Sequence, residues 1–231
     1  MSNEGGPGGE GGRIEELLIG AETDRGTLIV VSAPSGAGKS TLVHQVLDRD
    51  PGLRFSVSYT TRKPRGSEQD GVEYYFVSEE QFETMRERGE FLESAQVHGF
   101  LYGTKKELIE RTLIAGYDAI LDVDVQGAAQ IRRNMGGAVT VFVLPPSRQA
   151  LQERLESRNL NEAWDIERRI RNAAQEVELY KTFDYVIVND DLERATASLQ
   201  AVIVAQRLRP GRQRIRAQSI IDTFGGEPFH A

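Results

Sequence analysis

Short apolar runs recur along the chain, and most are followed by a stretch whose apolar positions fall three and four residues apart. Leu28-Ile29-Val30-Val31 has no polar alternation, which marks a strand buried on both faces; beyond a small-residue loop, Leu42, Val43, Val46 and Leu47 keep helical spacing. Tyr117–Val125 and Ala138–Leu144 repeat the buried-strand texture. The first leads into a predicted helix over 126–134; the second is stopped by Pro145-Pro146 and followed by a helix over 148–157 that Ser147 caps. Tyr185–Val188 is a last buried strand, and Leu192, Ala195, Leu199, Val202 and Ile203 give the helix to Leu208 an apolar face. Strands alternating with helices predict an α/β chain.

The texture changes between these units. Leu53–Tyr59 alternates like one half-buried strand and runs into Thr60–Gly66, where Arg62, Lys63 and Arg65 crowd around a proline. By pattern alone such a loop usually reads as solvated surface. Glu73–Val77, Phe91–Val97 and Phe100–Gly103 read as short strands, the last two joined at His98-Gly99, with a capping-box helix opening at Ser78. This predicts an antiparallel β-rich insert, closed by a helix over 105–115. Residues 1–24 are Gly-rich and polar, with an apolar patch at Ile14, Leu17, Leu18 and Ile19, and read as a mobile tail. Arg207, Arg209, Arg212, Arg214 and Arg216 predict a solvated basic C-terminal segment.

Composition narrows the function classes. The 231 residues suit one large domain or a core with insertions, and 39% hydrophobic with 27% charged residues describes a soluble globular protein. A net charge of −7 argues against a general nucleic-acid binder, and no apolar run reaches the ~20 residues of a membrane span. There is no cysteine, which excludes disulfides and thiolate metal sites and suits a reducing cytoplasm.

Chemistry enters at Ala33-Pro34-Ser35-Gly36-Ala37-Gly38-Lys39-Ser40-Thr41, between the first strand and its helix. Strand, glycine-bearing loop and helix in that order form a phosphate cradle. Gly36 and Gly38 let the backbone approach the phosphates, Lys39 reaches the β- and γ-phosphates, and the Ser40 hydroxyl sits on Mg²⁺. Ala33 stands at the first glycine of the general pattern. At the end of the second buried run, Asp122 and Asp124 are two apart and face the same way. Carboxylates there meet ligands in an α/β sheet, and they equally serve as helix caps. Arg154, Arg158, Arg168, Arg169 and Arg171 punctuate a charged helical stretch that, by pattern alone, reads as a solvated face.

In order and spacing these motifs resemble the guanylate kinase family. The resemblance covers about residues 26–208. It rests on the phosphate loop, Ser56-Val57-Ser58-Tyr59-Thr60-Thr61-Arg62-Lys63-Pro64-Arg65, Gly71-Val72-Glu73-Tyr74-Tyr75-Phe76, Tyr102-Gly103-Thr104, Leu121-Asp122-Val123-Asp124-Val125-Gln126-Gly127 and Val188-Asn189-Asp190-Asp191. It implies a P-loop NTPase three-layer core with a parallel five-stranded sheet over 26–56, 108–147 and 179–208. To that it adds a β-rich GMP-binding insert over 57–107 and a helical lid over 148–178, with a flexible tail over 1–25 and a basic one over 209–231.

The resemblance also implies roles. Glu93 and Asp124 face the guanine N1–H and N2–H donors and Ser58 stands near O6, which is the acceptor pattern that selects guanine over adenine. Arg62, Arg65, Tyr74, Tyr102 and Thr104 match positions that bind the GMP phosphate. Ala33 to Thr41 hold ATP, and Asn189 borders its adenine. Asp122 lies near Mg²⁺ through water, with Ser40 on the metal. Lys39, Arg62, Arg154, Arg158 and Arg169 carry catalysis. The substrates implied are ATP with GMP or dGMP; monomer and homo-oligomer both stay open. Asn159 replaces a family glycine after the second lid arginine, which bears on local loop shape. A non-catalytic protein-binding module of the same family is the rival reading. The intact Lys39, Ser40, aspartate pair and lid arginines oppose it. A kinase of AMP or a pyrimidine monophosphate is opposed by the two acceptors.

Overall fold

The computed structural model describes residues 24–97, 99–157 and 163–225. The patch at 14–19, His98, Arg158 and Asn159 lie outside the described residues. Five strands form a parallel sheet in the order β2 (Leu53–Phe55), β7 (Asp118–Asp122), β1 (Leu28–Ser32), β8 (Val139–Leu144), β9 (Tyr185–Val188). All five residues of β1 are buried. Ile29 and Val31 join a core with Leu42, Val43 and Val46 of helix α1 (Lys39–Arg49) and with Leu199 and Ile203 of the later helix α7 (Leu192–Arg207). Leu28 and Val30 face the other way, into Ile109 and Leu113 of α3 (Lys106–Ile114) and Ala128 and Ile131 of α4 (Val125–Asn134). Helix, sheet and helix make three layers, as the unalternated apolar runs require.

The second sheet has the order β4 (Tyr74–Phe76), β3 (Ser58–Thr60), β6 (Phe100–Lys105), β5 (Phe91–Val97), with α2 (Glu79–Glu87) between β4 and β5 in the chain. Two expectations change here. The alternating run over 53–59 is not one strand. Phe55 pairs with Ile120 in the main sheet, and three residues later Ser58 pairs with Tyr74 in the second. Alternation has the same period in both sheets, so it hides the handover. Nor is the insert wholly antiparallel, since β3 and β4 run parallel. Its layer is held by ring packing: Phe82 stacks on Phe91 at 4.4 Å between centroids, and a Cβ at Gly103 would stand 2.8 Å from Phe91. Gln130 of α4 bonds both ways to the Ser94 backbone, and Asn134 donates to Leu92 O, tying β5 to the core.

The basic C-terminal segment departs from expectation in part: Arg209, Arg214 and Arg216 are exposed as expected, while Arg207 and Arg212 are drawn onto a buried carboxylate. It forms a 3₁₀ turn at Pro210–Arg212 and helix α8 (Arg214–Thr223). Asp118, 1% exposed, accepts from Arg207 Nε at 2.6 Å and from the Thr27 N–H at 2.7 Å, and lies 3.1 Å from Arg212 Nη2. A buried carboxylate needs such partners, and it fastens Arg207 and Arg212 to the start of β7.

Candidate active site

The site lies where β1, β7 and β9 end. The phosphate loop turns through two left-handed glycines, Gly36 (φ 92°) and Gly38 (φ 89°). A Cβ at Gly36 would stand 2.7 Å from Leu155, and one at Gly38 2.5 Å from Asn189 Nδ2, so backbone and space both exclude a side chain. Ala33 packs into the core beside Ala37. Asn189 is buried and donates to Ala37 O at 2.9 Å; Arg154 donates to Ala37 O at 3.2 Å and to Asn189 O at 2.8 Å. These two residues brace the loop backbone from behind.

Lys39 Nζ donates to Val123 O at 3.1 Å and lies 3.7 Å from Asp122 Oδ2. Burial pushes its ammonium down from the ordinary lysine range, while Asp122, Asp124 and Glu93 pull it back. Ser40 Oγ donates to Asp122 Oδ2 at 2.7 Å. A hydroxyl and a carboxylate this close are hard oxygen donors beside the loop, a set that fits a Mg²⁺ keeping most of its waters and phosphate ligands.

Two helices cover the loop: α5 (Arg148–Glu156) and α6 (Ala163–Glu176), joined by a small core of Leu151, Leu155, Ile170 and Ala173. Between α6 and the loop is a cavity of about 720 Å³, lined by residues 33–40, Arg168, Arg169, Asn172, Glu176, Asp124 and Val97. Positions 169, 172 and 176 share one helix face. Arg169 donates to Ser35 Oγ through Nε at 3.2 Å and Nη2 at 2.6 Å. Burial holds the Glu176 carboxyl above the usual carboxylate range, with the Ser35 backbone N–H pulling it back.

Next to this cavity, Glu93 is 6% exposed. A bulge between Phe91 and Glu93 sets Glu93 opposite Thr104, whose hydroxyl donates to Glu93 Oε1 at 2.6 Å. Burial, and then Asp124, raise the Glu93 carboxyl; Thr104 and Lys39 oppose them. Glu93 Oε2 would stand 3.1 Å from a Cβ on Gly127, so that glycine opens the space. Asp124 Oδ1 accepts from the Gly127 N–H at 2.7 Å and caps α4, which is the capping one of the two sequence readings.

The basic loop is built around a carboxylate. Arg62 is 6% exposed and forks onto Glu68, Nη1 to Oε2 and Nη2 to Oε1, both at 2.9 Å. That pairing, with the Tyr102 hydroxyl beside it, holds the guanidinium above its ordinary range. The Tyr74 ring lies 5.3 Å from it, and Tyr74 meets Tyr102 edge-on at 5.8 Å. Arg65 is exposed, and Ser58 is half-buried in β3. Lys39, Ser40, Asp122, Asp124, Glu93 and Thr104 thus form one linked group; Arg62, Tyr74 and Tyr102 form a second; Arg169 reaches the loop from α6. Glu68, Asn172, Glu176 and Gly127 were not singled out by sequence reasoning as site residues. An acid closing a basic loop is the signal that points to Glu68; the others depend on helix packing.

Comparison with known proteins addresses the whole arrangement. The family model described as guanylate kinase matches residues 25–206. The guanylate kinase of Koribacter versatilis is 47% identical, covering 86% of this chain and 96% of that protein; that of Methylobacillus flagellatus is 47% identical over 85% and 98%. The crystal structure of guanylate kinase from Anaplasma phagocytophilum superposes with a TM-score of 0.69 at 30% identity, covering 89% of this chain and 98% of that one. Family model, relatives and fold agree over the span that carries both sheets and the phosphate loop, and the chain belongs to the guanylate kinase family.

Proposed function

We propose that the chain transfers the γ-phosphoryl group of ATP to GMP, and to dGMP, in a reversible Mg²⁺-dependent reaction giving ADP and GDP or dGDP. The observation that carries this reading is the linked group itself. Asp124 lines the same cavity as the phosphate-loop Lys39, and Glu93 Oε2 and Asp124 Oδ1 flank Gly127 at 3.1 and 3.4 Å from the position of a Cβ there, so a donor-rich base and a triphosphate fit one continuous site. Guanine offers two adjacent N–H donors to such acceptors, whereas adenine presents a ring-nitrogen acceptor there. No residue assigned to the nucleotide reads a 2′-hydroxyl.

A phosphate oxygen of GMP attacks Pγ. The new O–Pγ bond forms as the bond from Pγ to the β–γ bridging oxygen breaks, and ADP leaves with that electron pair. The nucleophile is already anionic, so no strong general base is required, and positioning with charge stabilisation supplies the catalysis. Lys39 neutralises charge on the transferring group, and Arg169, with Arg158, acts from the lid. Arg154 acts through the loop it braces. Ser40 and Asp122 would hold Mg²⁺, which neutralises β- and γ-phosphate charge. The closed lid excludes water and suppresses ATP hydrolysis. Among the described residues no helix is long and apolar enough to cross a membrane, and we assign the reaction to the cytoplasm.

The test is ADP formation from ATP and Mg²⁺ with GMP, dGMP, AMP, CMP, UMP or no acceptor. Turnover with GMP and dGMP alone is expected. Equal turnover with AMP would overturn the guanine assignment, and folded protein that binds GMP without turnover would overturn catalysis.

A further inference from the structure

Of the five N–H donors of Arg62, three go to oxygens of its own loop, and the Tyr102 hydroxyl lies beside the guanidinium as a further partner. Nη1 donates to Lys63 O at 2.8 Å and to Glu68 Oε2 at 2.9 Å; Nη2 donates to Glu68 Oε1 at 2.9 Å. Lys63 and Glu68 leave the Nε–H and the second Nη2–H to other partners. These two lie on one edge of the planar group and point the same way, a fork that matches two oxygens of a phosphate. The Tyr74 and Phe76 rings lie 5.3 and 5.9 Å from the guanidinium carbon. Glu68 does a second thing: its Oε2 accepts the backbone N–H of Arg65 at 2.8 Å, so one carboxylate ties together both arginines of the loop.

We infer that Glu68 is a positioning residue for the acceptor phosphate, holding Arg62 so that its Nε–Nη2 edge faces GMP and fixing the Arg65 end of the loop. The inference rests on the assignment of Arg62 to the GMP phosphate. Charge alone predicts the opposite effect. A carboxylate near a dianion repels it, and deleting that charge should tighten GMP. Positioning predicts weaker GMP instead, because an unfixed arginine and its loop must be ordered on binding. The sign of one measurement therefore separates the two.

Glu68→Gln keeps the size but sets an amide NH₂ against an arginine N–H. Its KM for GMP is expected to rise about tenfold or more, with KM for ATP unchanged and the ratio of GMP to AMP turnover unchanged. Calorimetry with GMP and with guanosine supplies the readout a merely structural role would not give: GMP binding weakens, and guanosine binding stays within about twofold. Arg62→Lys is run beside it. If Arg62→Lys leaves GMP binding unchanged, the Arg62 assignment falls and the inference with it. If Arg62→Lys weakens GMP but Glu68→Gln leaves it unchanged or tightens it, the assignment stands and the inference alone is overturned. Loss of ATP binding in Glu68→Gln, showing general unfolding, would also overturn a role confined to the phosphate.

Discussion

Replacing Glu93 by Gln changes one buried carboxylate into an amide of the same shape, and it should move activity and stability in opposite directions. Thr104 donates to Oε1 at 2.6 Å, and a Gln oxygen can keep that bond. The Oε2 side is what changes: an acceptor becomes an NH₂ facing guanine donors. Charge-assisted hydrogen bonds are worth about 1.5–3 kcal/mol each against about 1 for neutral ones. Weakening one and inverting the other costs about 2–4 kcal/mol, or roughly 30- to 700-fold in kcat/KM for GMP. Discrimination against AMP should shrink by a similar factor. Stability follows from the raised carboxyl. A folded pKa above the unfolded value means the native state holds the proton more tightly. The native protein therefore loses stability as pH rises through that window and is at its disadvantage above the folded pKa. Gln carries no such charge. Thermal midpoints should be higher for Glu93→Gln at pH 8, and the gap should close as pH falls towards 5. The assays are steady-state kinetics with GMP and AMP, and thermal unfolding from pH 5 to 8. Unchanged GMP/AMP discrimination would refute the guanine contact. A midpoint gap that widens towards low pH would refute the burial argument.

Two further substitutions test the supports of the site. A methyl group in Gly127→Ala would lie 3.1 Å from Glu93 Oε2 and 3.2 Å from Val123 Cβ, while helix propensity favours alanine by about 1 kcal/mol. KM for GMP should rise about tenfold with the thermal midpoint nearly unchanged, and an unchanged KM would show that Glu93 is free to shift. Asp118→Ala leaves two arginines and the Thr27 N–H without their carboxylate, which should cost about 3–5 kcal/mol. For a chain of this size that is roughly 6–20 °C in the midpoint, with kcat/KM at 20 °C within about twofold. A shift below about 2 °C would show that the C-terminal segment is not fastened there.

What could be read from the sequence was local. The phosphate loop needs a strand, two glycines at positive φ and a helix start, all within consecutive residues, and each demand leaves its mark in residue type. The three central strands of the parallel sheet, β1, β7 and β8, were legible for a related reason, since a strand buried on both faces cannot alternate; β9, expected to be buried as well, lies at the sheet edge with Val186 and Val188 exposed. Features set by topology were not legible. Asp118 meets Arg207 across 89 positions, and nothing near either residue announces the other, so the arginines read as solvated. The handover between sheets at residues 55–58 was hidden because both sheets impose the same period.

Asp124 shows how a local rule and a chemical role can share one residue. From sequence, an aspartate before a helix is either its cap or a ligand, and the two readings compete. In the proposed site they would use different atoms. Oδ1 takes the Gly127 N–H at 2.7 Å and stabilises the start of α4, which leaves Oδ2 for a guanine donor in the proposed site. The cap also fixes the side-chain torsions, so the second oxygen is presented without further ordering. Gly127 serves both carboxylates: its N–H anchors Asp124, and its missing Cβ leaves room for Glu93. The first turn of one helix thus fixes Asp124 and leaves room for Glu93, so in the proposed site a capping signal beside a glycine would be as much a specificity signal as a structural one.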